Sequence, residues 1–273
     1  MKRILLITVY ALLPLLLSAQ SLPLRGKAET LPFKGGEVFE YKLHYKWGII
    51  NSDVALATIS VDSTVYAGQQ AYAARIFGQS SKFYDTFFKV REDFRSTFTP
   101  TLVPLHFWRD TREGDWYCRN DVKYNWAASQ VESTVENSNE AAFTTTIPVQ
   151  KGTCDITSMV FMMRDVDVDR LEPGKRYIGT MMLDNATFTM AITYKGKGTF
   201  KDKHLGTVAT LNFAVRLNAG DTFDTKEDLV FLFTDDDNRI PVRFEAPFKF
   251  GAVSGRLQSA KGLKYPVAYK QKK

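Results

Sequence analysis

Cysteine and histidine are scarce in this chain, which has two cysteines and three histidines in 273 residues. The two cysteines are too far apart for the C-x-x-C spacing of zinc sites and thiol oxidoreductases. His44, His106 and His204 stand in no recognised pattern with a cysteine or an aspartate, and a G-x-S-x-G nucleophile elbow is missing. The sequence therefore predicts no catalytic residue, no metal ligand and no cofactor.

Long apolar runs are also missing, except at the N-terminus. Lys2 and Arg3 precede an almost entirely apolar stretch, residues 4–17, and Ser18-Ala19-Gln20 follows it. This is the layout of a secretory signal peptide, and the run is too short to span a bilayer comfortably. We expect residues 1–19 to be a signal peptide that is cleaved after Ala19. The mature protein should then be periplasmic, without a lipid anchor because no cysteine lies nearby, and not integral to the membrane.

A dense charge of one sign is the third missing feature. Without the leader the chain has 34 basic and 30 acidic residues, which are interspersed and argue against a nucleic-acid partner. Residues 261–273 form a basic C-terminal tail that contains Lys261, Lys264, Lys270, Lys272 and Lys273. This tail is either solvated or in contact with phosphate or lipid head groups.

Alternation of apolar and polar residues is the strongest pattern present. In residues 38–47, apolar Phe39, Tyr41 and Leu43 alternate with charged residues, and residues 116–126, 188–194 and 209–217 repeat this period of two. Such alternation is typical of antiparallel sheets with one solvated face. Further strands are predicted near 54–62, 70–78, 88–98, 104–112, 128–136, 141–149, 175–183, 228–234, 240–246 and 250–258. Turn signals separate many of them, at Ala67-Gly68, Glu113-Gly114, Pro173-Gly174 and Lys195-Gly196.

Helical periodicity is confined to one segment, residues 155–165, where Asp155 is placed to cap the first turn. A single helical turn is a second expectation near residues 81–87. The fold class that follows is all-β with one short helix, as a large curved antiparallel sheet, an open barrel or a sandwich. We expect an extended lead-in at 20–35 and a single β domain at 36–260, in which a weak internal echo suggests duplication.

Aromatic residues are in excess, with twenty phenylalanines, twelve tyrosines and four tryptophans. Trp47, Trp116 and Trp126 are candidate liners of an apolar or sugar-stacking cavity. An interior lined by aromatics and three methionines would suit an acyl chain; these are Met181, Met182 and Met190. Core packing is the alternative, because most of these side chains lie on strand faces that are predicted to be buried.

The two cysteines, Cys118 and Cys154, leave two alternatives open. An exported protein can oxidise such a pair, and a bridge that closes a loop of about 36 residues would add roughly 3–4 kcal/mol. Cys118, however, lies on the apolar face of its predicted strand, where a free buried cysteine is common.

Acidic residues offer only weak candidates. The aspartates at 165, 167 and 169 imitate a calcium loop, but Arg170 and Arg176 stand where that loop needs glycine and glutamate. The acidic run at 235–238 is expected to form a solvated turn, with a weak cation site as the alternative. A glycoside hydrolase needs two carboxylates at a set separation, and the sequence alone leaves Glu37, Asp93 and Asp110 as candidates without support.

Several marks together resemble a known family. Gly36-Glu37 opens the first strand, with Tyr41, Tyr45 and Gly48 following. The remaining marks are the run 154–158 with Arg164, the stretch from Leu229 through Asp235-Asp236-Asp237-Asn238 to Val242, and the series Gly251, Val253, Gly255 and Leu257. This pattern resembles exported Gram-negative cell-envelope proteins catalogued as a domain of unknown function, over residues 35–260. The resemblance implies an envelope location and a mostly β fold, but no activity and no catalytic residue.

These observations favour an exported, non-enzymatic envelope protein that binds an apolar or amphipathic ligand such as a lipid or glycolipid. Export, β architecture and the aromatic excess carry this hypothesis. A first alternative is an interaction or assembly factor with protein partners in the envelope. A second is a hydrolase of glycan or peptide, which would need converging acids or a histidine-paired nucleophile in a cleft.

Overall fold

A computed structural model describes residues 20–217, 228–248 and 251–269. The strands are β1 (Gln20–Ser21), β2 (Glu37–Trp47), β3 (Ile50–Tyr66), β4 (Gln69–Ser80), β5 (Val90–Phe98), β6 (Pro104–Glu113), β7 (Trp116–Asn125), β8 (Gln130–Asn137), β9 (Glu140–Pro148), β10 (Thr153–Cys154), β11 (Arg176–Leu183), β12 (Ala186–Asp202), β13 (Gly206–Leu217), β14 (Leu229–Thr234), β15 (Pro241–Phe248) and β16 (Gly251–Lys261). The helices are α1 (Lys82–Asp85) and α2 (Ile156–Arg164), and single 3-10 turns lie at Ala28–Thr30 and Val168–Arg170. The predicted signal peptide, residues 1–19, lies outside the described residues.

All these strands belong to one sheet. Its order is β1-β11-β12-β13-β14-β15-β16-β2-β3-β4-β5-β6-β7-β8-β9, and β10 pairs with β11 beside this path. Neighbours are antiparallel except for the short β1–β11 and β10–β11 pairs. In the part of the chain that is described, the two edge strands β1 and β9 do not pair with each other, so the sheet is not closed into a barrel. The predicted all-β class with a large antiparallel sheet is confirmed.

The sheet has two ends, which we call the upper and the lower end. The upper end carries the β2–β3, β4–β5, β6–β7 and β11–β12 connections, at residues 48–49, 81–89, 114–115 and 184–185. The lower end carries, among others, the turns at 67–68, 99–103 and 126–129. Because paired strands are antiparallel, the even-numbered strands of β2–β9 end at the upper end and the odd-numbered strands that follow them begin there. Loops that are distant in sequence therefore lie together at the upper end.

Helix α2 joins the separate parts of the core. It contacts β4 and β5 on one side and β11 on the other. Phe161 belongs to a cluster of buried side chains on β2–β5 and β16, whereas Met159 and Met163 belong to a second cluster on β11–β14. A third cluster, around Phe107 on β6–β9, meets the helix at Ile156.

The C-terminal end of α2 is fixed by Arg164, whose side chain is fully buried. Its guanidinium lies 2.8 Å from a carboxylate oxygen of Glu37 at the start of β2. It also donates to the carbonyl oxygens of Asn238 (2.9 Å) and Pro32 (3.1 Å). Burial raises the pKa of the Glu37 carboxyl, and the charge of Arg164 opposes that rise. One buried ion pair therefore ties the helix to the lower end of β2 and to the β14–β15 turn.

The N-terminal end of α2 is fixed by Asp155, which is also fully buried. One carboxylate oxygen accepts from the amides of Thr157 (2.9 Å) and Ser158 (2.8 Å), and the Ser158 hydroxyl accepts from the Asp155 amide. These bonds form a capping box. The other carboxylate oxygen accepts from the Ser96 hydroxyl on β5 at 2.8 Å. The expected cap is confirmed, and the same side chain binds the helix to the sheet.

The two flanking segments pack onto the domain. In the lead-in, 20–35, β1 pairs with β11, and Leu31 and Phe33 are buried in the first cluster. In the tail, the Lys264 ammonium donates to the Leu31 carbonyl oxygen at 2.7 Å, and Tyr269 is buried. The described part of the tail, 261–269, is therefore attached to the core and is not solvated along its length.

The structure differs from the sequence expectation in β12. The Lys195-Gly196 pair predicted a turn, but the strand continues to Asp202. Pairing with β13 shifts register between Tyr194 and Gly196, where the glycine has φ +94°. This is a β-bulge, in which glycine supplies the positive φ that other residues avoid.

Candidate functional site

The three candidate tryptophans do not come together. Trp116 begins β7 at the upper end, and Trp126 follows the same strand at the lower end, about 33 Å away at the rise of a strand. Trp47 ends β2, and four strands separate β2 from β7. Trp126 donates to the Pro104 carbonyl oxygen at 2.6 Å and packs on the third cluster. The three side chains therefore do not line one common cavity; a ligand-binding role of each tryptophan stays a prediction, and Trp47 and Trp116 are exposed at the upper end.

The interior expected to receive an acyl chain is filled with side chains. Met181, Met182 and Met190 are at most 2% exposed. Met181 and Met190 pack in the second cluster, and Met182 packs in the third, on the other face of β11. Among the described residues, core packing is therefore the role of these methionines.

Both cysteines are free, buried thiols. Arg109 donates to the sulfur of Cys118 at 3.0 Å, and the Cys154 thiol donates to the Thr180 carbonyl oxygen at 3.5 Å. Burial raises the pKa of the Cys154 thiol far above its usual value, which makes it unreactive. Oxidation of the pair stays a prediction.

Two of the candidate carboxylates face each other across a strand pair. Asp93 on β5 is directly opposite Asp110 on β6. The guanidinium groups of Arg75 and Arg95 donate to the Asp93 carboxylate at 2.8 and 2.7 Å. Arg112 donates to the Asp110 carboxylate at 3.0 Å. Burial alone would raise the pKa of Asp93, but its arginine hydrogen bonds hold it below the usual value. Asp93 is thus ionised and unsuited to act as a general acid, while the third candidate, Glu37, is occupied by Arg164.

A cluster of polar side chains lies on the inner face of β5–β8, and we call it the polar recess. It contains Glu92, Arg109, Thr111, Cys118, Asn120 and Ser133, on strand positions of the same parity as core residues Phe107 and Val122. Polar groups on this face therefore lie between the third cluster and the upper end. Neither Glu92 nor Arg109 is among the candidates that the sequence patterns provide.

Glu92 is the titratable centre of the polar recess. The Thr111 hydroxyl donates to its carboxylate at 2.7 Å. Burial raises the pKa of Glu92 to about 7, and the nearby acid Glu113 adds to the rise. Gly78 lies opposite Glu92 on β4 and leaves the space beside it free of a side chain. Near neutral pH this carboxyl can donate as well as accept a hydrogen bond.

Arg109 is the cationic centre of the polar recess. Its guanidinium pairs with Asp184 of the β11–β12 turn and donates to Cys118. Its Nε is buried and has no hydrogen-bond partner among the described residues. Next to it, Asn120 donates to the Ser133 hydroxyl at 2.8 Å, and that hydroxyl donates to Asn185. The polar recess therefore contains a buried positive charge, and one of its N–H donors has no hydrogen-bond partner among the described residues.

The pKa of Glu92 predicts a pH dependence of stability. The native state keeps the Glu92 proton up to about pH 7, whereas the unfolded state releases it near the ordinary glutamate value. The native state therefore binds more protons in this window, and the free energy of unfolding falls as the pH rises from about 5 to about 8.

Urea unfolding at these two pH values measures this decrease. In Glu92→Gln the decrease should be smaller than in the wild type, whereas the control Glu132→Gln, an exposed glutamate on β8, should behave as the wild type. An equal decrease in the wild type and Glu92→Gln would contradict the prediction.

Exposed apolar side chains are concentrated at the upper end. Ten large apolar side chains of the described residues are exposed, and seven of them lie on the upper connections or at the strand ends next to them. These seven, which we call the aromatic end, are Trp47, Ile49, Ile50, Phe83, Phe87, Phe88 and Trp116. Single exposed apolar residues are ordinary, whereas a group of them at one end makes that end a candidate interaction surface. Phe88 lies against Gly114, so the β4–β5 loop reaches the turn beside Trp116 and the polar recess.

Two surface grooves are lined by polar residues. One lies on β7–β9, and another lies where β2, β3 and β16 meet the β12–β13 turn and includes Lys42, Asp53, Lys203 and Arg256. The described residues contain no group of three side chains that could hold a metal ion. Within the same ranges, no helix is both long and apolar enough to cross a bilayer.

Comparison with known proteins places the fold but assigns no activity. The profile of a family described as a protein of unknown function (DUF3108) matches residues 40–258. No curated protein matches the chain. A crystal structure from Brucella abortus, of a beta-barrel-like protein of the domain of unknown function DUF1849, is similar in fold with a TM-score of 0.50 and 11% sequence identity. The match covers 89% of this chain and 99% of that one.

Proposed function

The chain belongs to the DUF3108 family of unknown function, and from its own geometry we propose that it is an exported, non-enzymatic envelope protein that binds an amphipathic ligand at the upper end of its sheet. The observation that carries this proposal is the presence of exposed apolar side chains at the same end of the sheet as the polar recess. The apolar part of a lipid or glycolipid would lie against Phe88 and Trp116, and its polar group would enter the recess.

The recess supplies contacts for a polar group. Arg109 has a buried, unpartnered Nε, which suits an anionic or hydroxyl oxygen of the ligand. Glu92, with a pKa of about 7, accepts from or donates to a hydroxyl. The hydrophobic clusters close the lower half, so a ligand enters from the upper end. Export and a periplasmic location belong to this proposal and rest on residues 1–19.

Native mass spectrometry of the purified protein, mixed with a lipid extract of its envelope, tests the proposal. We expect a species heavier by the mass of one lipid in the wild type and a several-fold smaller fraction of it in Trp116→Ala. Val65→Ala is the matched control, because Val65 is an exposed apolar residue at the lower end, and it should bind as the wild type. A bare chain in every sample, or equal binding in Trp116→Ala, would refute the proposed site.

The alternative role as an assembly factor rests on the same exposed side chains. It predicts that the protein purified from its envelope carries a protein partner rather than a lipid. Detection of a stoichiometric protein partner that is lost in Trp116→Ala would favour that role.

A further inference from the structure

Two loops of the upper end carry exposed apolar side chains. The last pair between β3 and β4 is Ala55–Ser80, so the β2–β3 hairpin extends roughly 16 Å beyond it at the rise of a strand. At its tip Ile49 is fully exposed. The neighbouring β4–β5 loop holds Phe83 and Phe87, which are 67% and 74% exposed.

Lysines outnumber acids in these two loops, which contain one acid. Two further exposed acids, Glu113 and Asp115, lie beside the loops at the β6–β7 turn. Lys46, Lys82 and Lys89 flank the two loops and are exposed. The acid of the β4–β5 loop, Asp85, is turned toward the protein, where Arg91 contacts it at 2.6 Å. That ion pair and a hydrogen bond from Ser80 hold the pKa of Asp85 at about 2. The loop therefore presents its lysines and aromatic rings outward, while its acid is already neutralised by a partner.

We propose that these two loops are a docking face for a membrane surface that contains anionic lipids. The docking face consists of Trp47, Ile49, Ile50, Phe83, Phe87 and Phe88 with the three lysines. Aromatic and aliphatic tips enter the head-group boundary, and the lysines bind lipid phosphates. Docking of these loops requires no ligand in the polar recess, and it brings the upper end, where the polar recess lies, to the lipid surface.

A second copy of the chain is a poorer occupant of this face. In a two-fold dimer the same patch contacts itself, so the lysines of one copy would lie against those of the other. The face is also made of two separate tips rather than one flat surface. An anionic membrane complements both features.

Flotation with vesicles tests the docking face. The purified mature protein is mixed with vesicles of phosphatidylcholine alone or with phosphatidylglycerol added, and the protein that floats with the vesicles is measured. We expect binding to the anionic vesicles, weakened by high salt. Phe83→Ser/Phe87→Ser should reduce the partition coefficient by about tenfold or more. Lys82→Gln/Lys89→Gln should reduce it by about fivefold per lysine. All four side chains are exposed, so circular dichroism should show the native fold.

The matched control is Val65→Ser, which removes an exposed apolar side chain at the lower end and should leave the partition coefficient unchanged. Three outcomes overturn the proposal. They are failure of the wild type to float with anionic vesicles, equal loss in Val65→Ser and Phe83→Ser/Phe87→Ser, and a dimer in sedimentation that only the loop variant dissociates. The ligand proposal is distinguishable, because vesicle binding without a retained lipid supports docking alone, and a retained lipid without vesicle binding supports the ligand alone.

Discussion

Replacing Arg164 by methionine will lower the free energy of unfolding by about 3–5 kcal/mol, because it leaves the Glu37 carboxyl buried without its charged partner. The same substitution removes the donors to the carbonyl oxygens of Asn238 and Pro32. A typical domain is stable by only about 5–15 kcal/mol, so this is a large fraction of the total. Urea unfolding followed by tryptophan fluorescence measures it.

Two further variants separate the ion pair from general damage to the core. Arg164→Met/Glu37→Leu removes both charges and should be more stable than Arg164→Met alone, because no charge is then left unpaired. Arg112→Met breaks an exposed pair with Asp110 and should cost less than about 1 kcal/mol. A cost of Arg164→Met as small as that of Arg112→Met would contradict the role of the pair.

Replacing Asp155 by alanine is expected to lower the free energy of unfolding by about 2–4 kcal/mol. An N-cap alone contributes about 0.5–2 kcal/mol. The structure adds a second loss, because the buried Ser96 hydroxyl then has no acceptor, and an unsatisfied buried donor costs about 1–3 kcal/mol. Thermal and urea unfolding together measure the change.

The conservative variant Asp155→Asn keeps the side-chain oxygen that caps the helix and should recover part of the loss. Ser96→Ala removes only the bond to β5 and should cost less than Asp155→Ala. An unchanged melting temperature in Asp155→Ala would exclude both the cap and the tie to the sheet.

Most of the fold could be predicted because period-two alternation reports directly which strand face is buried. The strand predicted at 104–112 is β6 (Pro104–Glu113), and the one at 228–234 is β14 (Leu229–Thr234). The prediction failed at Gly196, because a glycine with positive φ serves equally in a turn and in a bulge. Strand order and the tie between Glu37 and Arg164 depend on distant parts of the chain and have no local signal.

Several marks of the family resemblance prove to be structural residues. Glu37, Asp155 and Arg164 fix the two ends of α2. At Gly255, an added Cβ would lie 2.1 Å from the ring of Phe244, so only glycine lets that ring pack there. These residues explain how the chain holds its fold, and none of them faces the polar recess.

The candidate site was harder to predict than the fold. Glu92 and Arg109 occupy inward-facing positions of their strands. A charged residue on the strand face that the period-two pattern assigns to the core is the sequence feature that indicates a site there. Trp47 and Trp116 are candidates by residue type, whereas the loop 81–89 holds more exposed aromatic area. That loop lacks periodicity, and its aromatic rings could equally have been buried.

Photo-cross-linking shows whether the upper end, and not the filled interior, receives the apolar part of a ligand. The purified protein is irradiated with a lipid that carries a photoreactive group on its acyl chain, and labelled peptides are identified by mass spectrometry. We expect labels on residues 82–89 and at Trp116, and we expect them to be lost when unlabelled lipid competes. Labels confined to the core strands β11–β13, or to the lower end around Val65, would contradict this expectation.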